Sequence, residues 1–196
     1  MPTRRSWGRW IAAAALAAGA AGCASVPPQT AAERRSLTEA VIADWPEGSR
    51  LTAARLLDSY GLPSRIDLDR LVWYGRGDWK RTVLWEKAPY IYGGTAAGEL
   101  EQTVAYSAPE DKAAALSVLG GRVRASRDGT ELSAYSSSEE LNFLALNLAD
   151  EVLRELRDPQ DVDSFYERAV RLRDAGKSSA YMQRLLFLPA AARPAR

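Results

Sequence analysis

The stretch 71–85 constrains the fold more than any other. Leu71-Val72-Trp73-Tyr74 and the run from Trp79 to Trp85 are aromatic and β-branched, and they flank Gly75-Arg76-Gly77-Asp78. Such side chains suit a pleated, half-buried surface, and a Gly-rich link lets the chain reverse, so the segment reads as a β-hairpin. Alternation predicts a further strand over 99–106. A second hairpin is expected from 122–125 and 131–135 around Arg127-Asp128-Gly129.

Helical periodicity fills the remainder. A helix over 33–44 would carry Leu37, Val41 and Trp45 inward, and Pro46-Glu47-Gly48 would break it. Ser49 would cap a second helix, 50–60, with Leu51, Ala54 and Leu57 on its core face, ended by Gly61 and Pro63. Ser107 and Pro109 open a third, which Gly120-Gly121 stops near 119. Ser137-Ser138-Glu139-Glu140 has the form of a capping box before a helix over 139–156, striped by Leu141, Leu144, Leu148 and Val152. A long helix through Phe165, Ala169 and Leu172 and a terminal one over 181–188 follow. The expected fold class is α+β: an antiparallel sheet of about four to five strands with helices packed on one face. One domain is expected over 33–188, with a disordered tail at 189–196 and no internal repeat.

The N-terminus points to export. Arg4, Arg5 and Arg9 precede the apolar run 10–18, which is about half the ~20 residues of a spanning helix. The run ends in Ala20-Ala21-Gly22-Cys23, which resembles the lipobox of bacterial lipoproteins, with Ala20 where Leu is usual. The resemblance implies cleavage of a signal peptide, 1–22, and lipidation at Cys23, with 23–32 as an acylated, Pro27-Pro28-stiffened tether. The alternative is cleavage after Ala18-Gly19-Ala20, which would leave Cys23 a free thiol. Thr3-Arg4-Arg5-Ser6-Trp7 also resembles a twin-arginine export motif. Ala24, after the cysteine, favours the outer membrane, facing the periplasm.

Composition removes several classes of function. Loss of the signal takes away three of the 26 Lys+Arg and none of the 25 Asp+Glu, leaving 23 against 25, or about −2. That balance, together with export, argues against a nucleic acid partner. The chain has no histidine and one cysteine, so the commonest general base and the usual zinc ligands are missing. Neither a G-x-S-x-G elbow nor an S-x-x-K motif is present in the mature chain. No cofactor or metal site is expected.

The order helix, Tyr60-Gly61-Leu62-Pro63, then an aromatic strand with Trp73-Tyr74, then a second strand resembles the SmpA/OmlA family of small outer-membrane lipoproteins, the BamE type. It covers only Ser49 to about Glu86, and nothing from Ser107 onward has a counterpart. The resemblance implies two helices before a three-stranded antiparallel sheet, and a non-enzymatic lipoprotein that packs on envelope partners. No binding residue carries over. The segments at 79–82 and 140–148 look like uncharacterised bacterial secreted proteins, a likeness that implies no activity.

The residues most open to a functional role are Trp73, Trp79, Lys80, Arg81 and Trp85, within a cluster that includes Tyr74, Arg76, Tyr90 and Tyr92. Exposed aromatics could stack on glycans or anchor a protein, and the cations could bind phosphate or carboxylate. The competing expectation is that most of the aromatics pack under the helices and the cations are solvated. Asn142 and Asn147 are expected on the flank of their helix, touching solvent. The carboxylates Glu99/Glu101, Glu139/Glu140 and Asp158/Asp161/Asp163 read as caps and surface charge. The expected role is therefore an envelope lipoprotein that binds an envelope protein or peptidoglycan. The alternatives are a carboxylate-dependent enzyme of envelope glycan or lipid chemistry, which needs two carboxylates facing across a cleft, and a lipid carrier, which needs an apolar cavity between sheet and helices.

Overall fold

The computed structural model describes residues 30–91 and 94–190. The signal, Cys23 and the tether up to residue 29 lie outside the described residues, as do Tyr92 and the tail residues 191–196. Helices α1 (Ala31–Ile42) and α2 (Glu47–Tyr60) come first, then strands β1 (Arg65–Ile66), β2 (Arg70–Arg76) and β3 (Trp79–Trp85). The short strands β4 (Tyr90–Ile91) and β5 (Gly94–Thr95) pair only with each other. Next are β6 (Leu100–Ala105), a 3-10 helix (Glu110–Leu119), β7 (Val123–Ala125) and β8 (Glu131–Ser136). The chain continues through α3 (Glu139–Leu153), α4 (Val162–Asp174) and the single turn α5 (Ala180–Gln183).

The fold is α+β. Its main sheet has six antiparallel strands in the order β1-β2-β3-β6-β8-β7, against the four to five expected. β1, β4 and β5 hold two residues each, too few for alternation to reveal. The helices cover one face. α1 and α2 pack with Leu71, Trp73, Leu84 and Leu100, while α3, α4 and the 3-10 helix pack with Val104, Leu132, Ala134 and Val123.

Both N-terminal helices turn a different side inward from the one expected. In α2 the buried residues are Ser49, Thr52, Ala53 and Leu56, whereas Leu51 is 54% exposed. Small side chains bring the helix axis close to the sheet, and Ser49 donates to Glu86 O at 2.7 Å rather than capping the helix, which begins after Pro46. In α1, Thr38 is buried and Leu37 is 39% exposed. The reciprocal capping box at its start, Thr30 with Glu33, places the entry two residues early.

α3 is buried on every side: all residues from 141 to 150 are inaccessible, between the sheet, the 3-10 helix, α4 and α5. Asn142 and Asn147 are therefore interior, not on a solvent flank. The Asn142 amide donates to Leu100 O and Gln102 Oε1 and accepts from Ser136 Oγ. Asn147 donates to Tyr181 O and Arg184 O and accepts from Leu186 N, so it clamps the final turn onto α3. A buried amide left unpaired costs more than its bonds return, so these sites demand complete partner sets.

Candidate functional site

The register of the sheet defines its second face. Val72, Val83, Glu101 and Tyr135 stand side by side across β2, β3, β6 and β8. The next row is Tyr74, Arg81, Thr103, Ser133 and Arg124, ending on β7. None of these residues belongs to either helix-covered core.

Polar side chains on this face hold one another in place. Arg81 donates to Glu101 Oε1 and to Thr103 Oγ1, both at 3.2 Å, and lies 3.8 Å from Glu131. Trp85 Nε1 donates to the second oxygen of Glu101 at 3.1 Å. The Arg70 guanidinium sits 4.9 Å over the Trp85 ring and donates to Asp67 at 3.0 Å. Lys80 reaches Glu131 at 2.5 Å, and Thr103 and Ser133 share a hydrogen bond of 2.8 Å. Burial first, and then the neighbouring Glu101 charge, push the Tyr135 phenol up to about 12.

Of the five residues singled out from the sequence, three stand here: Lys80, Arg81 and Trp85. The other two do not. Trp73 is 0% exposed, donates to Gly61 O at 2.9 Å and meets Tyr60 edge-on. Trp79 is 2% exposed, stacks on Phe143 and donates to Glu139 Oε1 at 3.0 Å. Strict alternation would set Trp79 beside Arg81. It breaks at Lys80, so that Trp79 turns back under α3 while Lys80 and Arg81 both reach Glu131. Tyr74, exposed at the row's end, replaces the two tryptophans as an accessible aromatic.

A second polar arrangement lies between the two cores. Tyr60 Oη donates to Glu139 Oε2 at 2.6 Å and accepts from Gln102 Nε2 at 3.3 Å, and Gln102 accepts from Asn142. Burial, followed by the bond to Glu139, holds the Tyr60 phenol far above its ordinary value. Beside this network a cleft of about 360 Å3 opens between α2 and the start of α3, bordered by Thr52, Arg55, Leu100 and Glu140. A shallower extension includes Glu99 and Arg173. Ser138, not Ser137, caps α3, so Glu140 faces this cleft without a capping role. Neither Asn142 nor Gln102 could have been assigned to the network from one sequence, because the strands that carry their partners are forty residues away.

Among the described residues, no helix is long and apolar enough to cross a membrane, and no group of His, Cys, Asp and Glu is arranged to hold a metal. The chain matches no protein-family model, no curated protein and no solved structure.

Proposed function

We propose that the chain is a lipid-anchored protein of the bacterial envelope, tethered through Cys23 and facing the periplasm from the outer membrane. It acts by binding an envelope protein or a cell-wall component, without metal, cofactor or nucleic acid. The supporting observation is the second sheet face, where Arg81, Glu101, Trp85 and Arg70 form a prearranged polar and aromatic array with Lys80 and Tyr74 at its margin. Side chains fixed before binding lose little conformational freedom on contact, which suits recognition. The order α1-α2-β1-β2-β3 is also the one implied by the family resemblance.

Two experiments test this reading. Intact mass and membrane fractionation of the native chain beside Cys23→Ala address the anchor: an acylated, membrane-bound wild type and a soluble variant are expected. Photo-crosslinkers at Tyr74 and Lys80 in whole cells address the surface. They should capture the same envelope component, and Arg81→Glu should abolish capture. A soluble, unmodified wild type sinks the anchor, and capture unaffected by Arg81→Glu sinks the surface.

Glu99 and Glu140, which border the same cleft, give some weight to the enzymatic alternative. That reading requires Glu99→Gln and Glu140→Gln each to abolish turnover of a glycan or lipid substrate. The lipid-carrier alternative is weaker, because Leu71, Leu84, Leu100, Leu144 and Leu148, each at 1% exposure or less, occupy the space between sheet and helices.

A further inference from the structure

β7 is an edge strand, and its backbone is only half used. Tyr135 N donates to Arg122 O at 2.8 Å and Ser126 N to Glu131 O at 2.9 Å. In an antiparallel pair the bonded residues alternate, so Arg122, Arg124 and Ser126 face β8. Val123 and Ala125 therefore point their N–H and C=O groups away from the sheet. Those groups lie about 6.8 Å apart along the strand, at the spacing that an added strand would match. One residue earlier in this outward series, Gly121 O is already taken by Ala97 N, and no such bond to Val123 or Ala125 occurs among the described residues.

The free edge opens into a groove rather than onto a flat surface. A hollow of about 640 Å3 lies beside β7, walled by Ala113, Leu116 and Ser117 of the 3-10 helix. Gly121 and Thr95 close one end, and a smaller hollow of about 200 Å3 continues the other end past Ser126 to Gly129. The small side chains of the wall leave room for a backbone to lie alongside β7. Natural sheets cover or charge an open edge because it templates pairing. Here, the helix shelters the edge without contributing a strand.

The charge along the groove is basic. Arg124 and Arg127 border it. Arg124 Nε is buried with no hydrogen-bond partner among the described residues, an unusual cost for a guanidinium. The one carboxylate described at the far hollow, Asp128, is occupied by Ser126 and Thr130, whose hydrogen bonds hold it down at about 2. Arg122, the other nearby cation, is engaged by Asp163 and by the Tyr166 ring.

We infer that this groove binds an extended acidic peptide segment of a partner protein, which adds to the main sheet as a seventh strand beside β7. Backbone bonds at Val123 and Ala125 supply the affinity, and Arg124 and Arg127 select for carboxylates, Arg124 Nε gaining the acceptor it lacks. The inference does not depend on lipid attachment at Cys23 or on the second sheet face.

The test uses the full chain and a fluorescein-labelled nine-residue peptide that alternates Glu with Val and Thr. Saturable binding is expected, at least tenfold weaker for the same peptide with Lys in place of Glu. The peptide should slow amide hydrogen exchange at Val123 and Ala125 at least tenfold. Ala125→Pro removes one outward N–H and no bond to β8, so it should weaken binding at least tenfold with an unchanged near-UV spectrum. Arg124→Ala combined with Arg127→Ala leaves the backbone intact and should erase the preference for Glu over Lys. Absence of saturable binding overturns the inference, as does exchange that stays unchanged at Val123 and Ala125. Protection confined to the Arg81 row would put the peptide on the other sheet face. Slow exchange at Val123 without peptide, rising with protein concentration, would make the occupant a second copy.

Discussion

Tyr60 and Glu139 share a 2.6 Å hydrogen bond that joins the last turn of α2 to the first turn of α3, 79 residues away in sequence. Glu139 gives its other oxygen to Trp79 of β3, so one carboxylate satisfies two buried donors from two elements. Tyr60→Phe removes one bond and should cost about 1 kcal/mol. Glu139→Ala strands both donors and should cost about 2–4 kcal/mol. Urea denaturation of the two variants and their combination checks this: the double variant should lose less than the sum. Strictly additive losses would mean that the residues do not act together.

Gly98 is in close approach to the chain beside it. A Cβ at this position would lie 2.2 Å from the carbonyl carbon of Ser136 and 2.6 Å from its Cα. Backbone cannot yield as a flexible side chain can, so Gly98→Ala should destabilise by about 2 kcal/mol or more. Because Ser136 also bonds Asn142, the perturbation should reach α3. Thermal unfolding measures the loss, and a midpoint within a degree of wild type would refute the tight approach.

Glu155 carries the opposite expectation. Its φ of 58° places it in the left-handed region just past α3, where a side chain is strained and glycine is at ease. Its ion pair with Lys112 at 2.9 Å is largely solvated, with three quarters of the Glu155 side chain exposed. Glu155→Gly should therefore raise stability by about 0.5–1 kcal/mol in a chemical melt, and a loss would show that the ion pair outweighs the strain.

Alkaline pH should act through Tyr135. Its folded value, about 12, stands above the ordinary tyrosine value near 10. The neutral phenol is thus favoured by the fold, and the corresponding stability is fully present below pH about 10 and lost as pH rises through about 12. Stability measured from pH 9 to 12 should fall less steeply in Tyr135→Phe than in wild type. Parallel curves would mean that Tyr135 ionises as it would in water.

Most elements were legible from periodicity and punctuation. The 71–85 hairpin, the 131–135 strand and the capped start of α3 follow from local chemistry that tertiary contacts did not override. Helical phase was less legible. Leu51 outweighs Ser49 and Ala53 on any hydrophobic count, yet close packing of α2 on the sheet prefers the smaller residues. The second sheet face was half legible. A hairpin must send alternate residues to opposite faces, but only the paired structure reveals that Trp79 breaks alternation to meet Glu139. The environments of Asn142 and Asn147 were hidden for a related reason: their partners are backbone groups and a glutamine brought near by folding, and no local pattern announces them.

The strand order also has a consequence for synthesis. Every strand up to Ile91 pairs within the first half of the chain, and the main sheet then crosses to the second half only where β3 meets β6. During translation α1, α2 and β1–β3 can assemble before β6 exists, with Trp79 and Leu84 still waiting for the partners that complete their burial. Until about residue 105 emerges, β3 is a bare edge, and the nascent chain is most open to mispairing in that interval. Lys80 and Arg81, set midway along neighbouring apolar residues, place charge on that edge when it is most exposed.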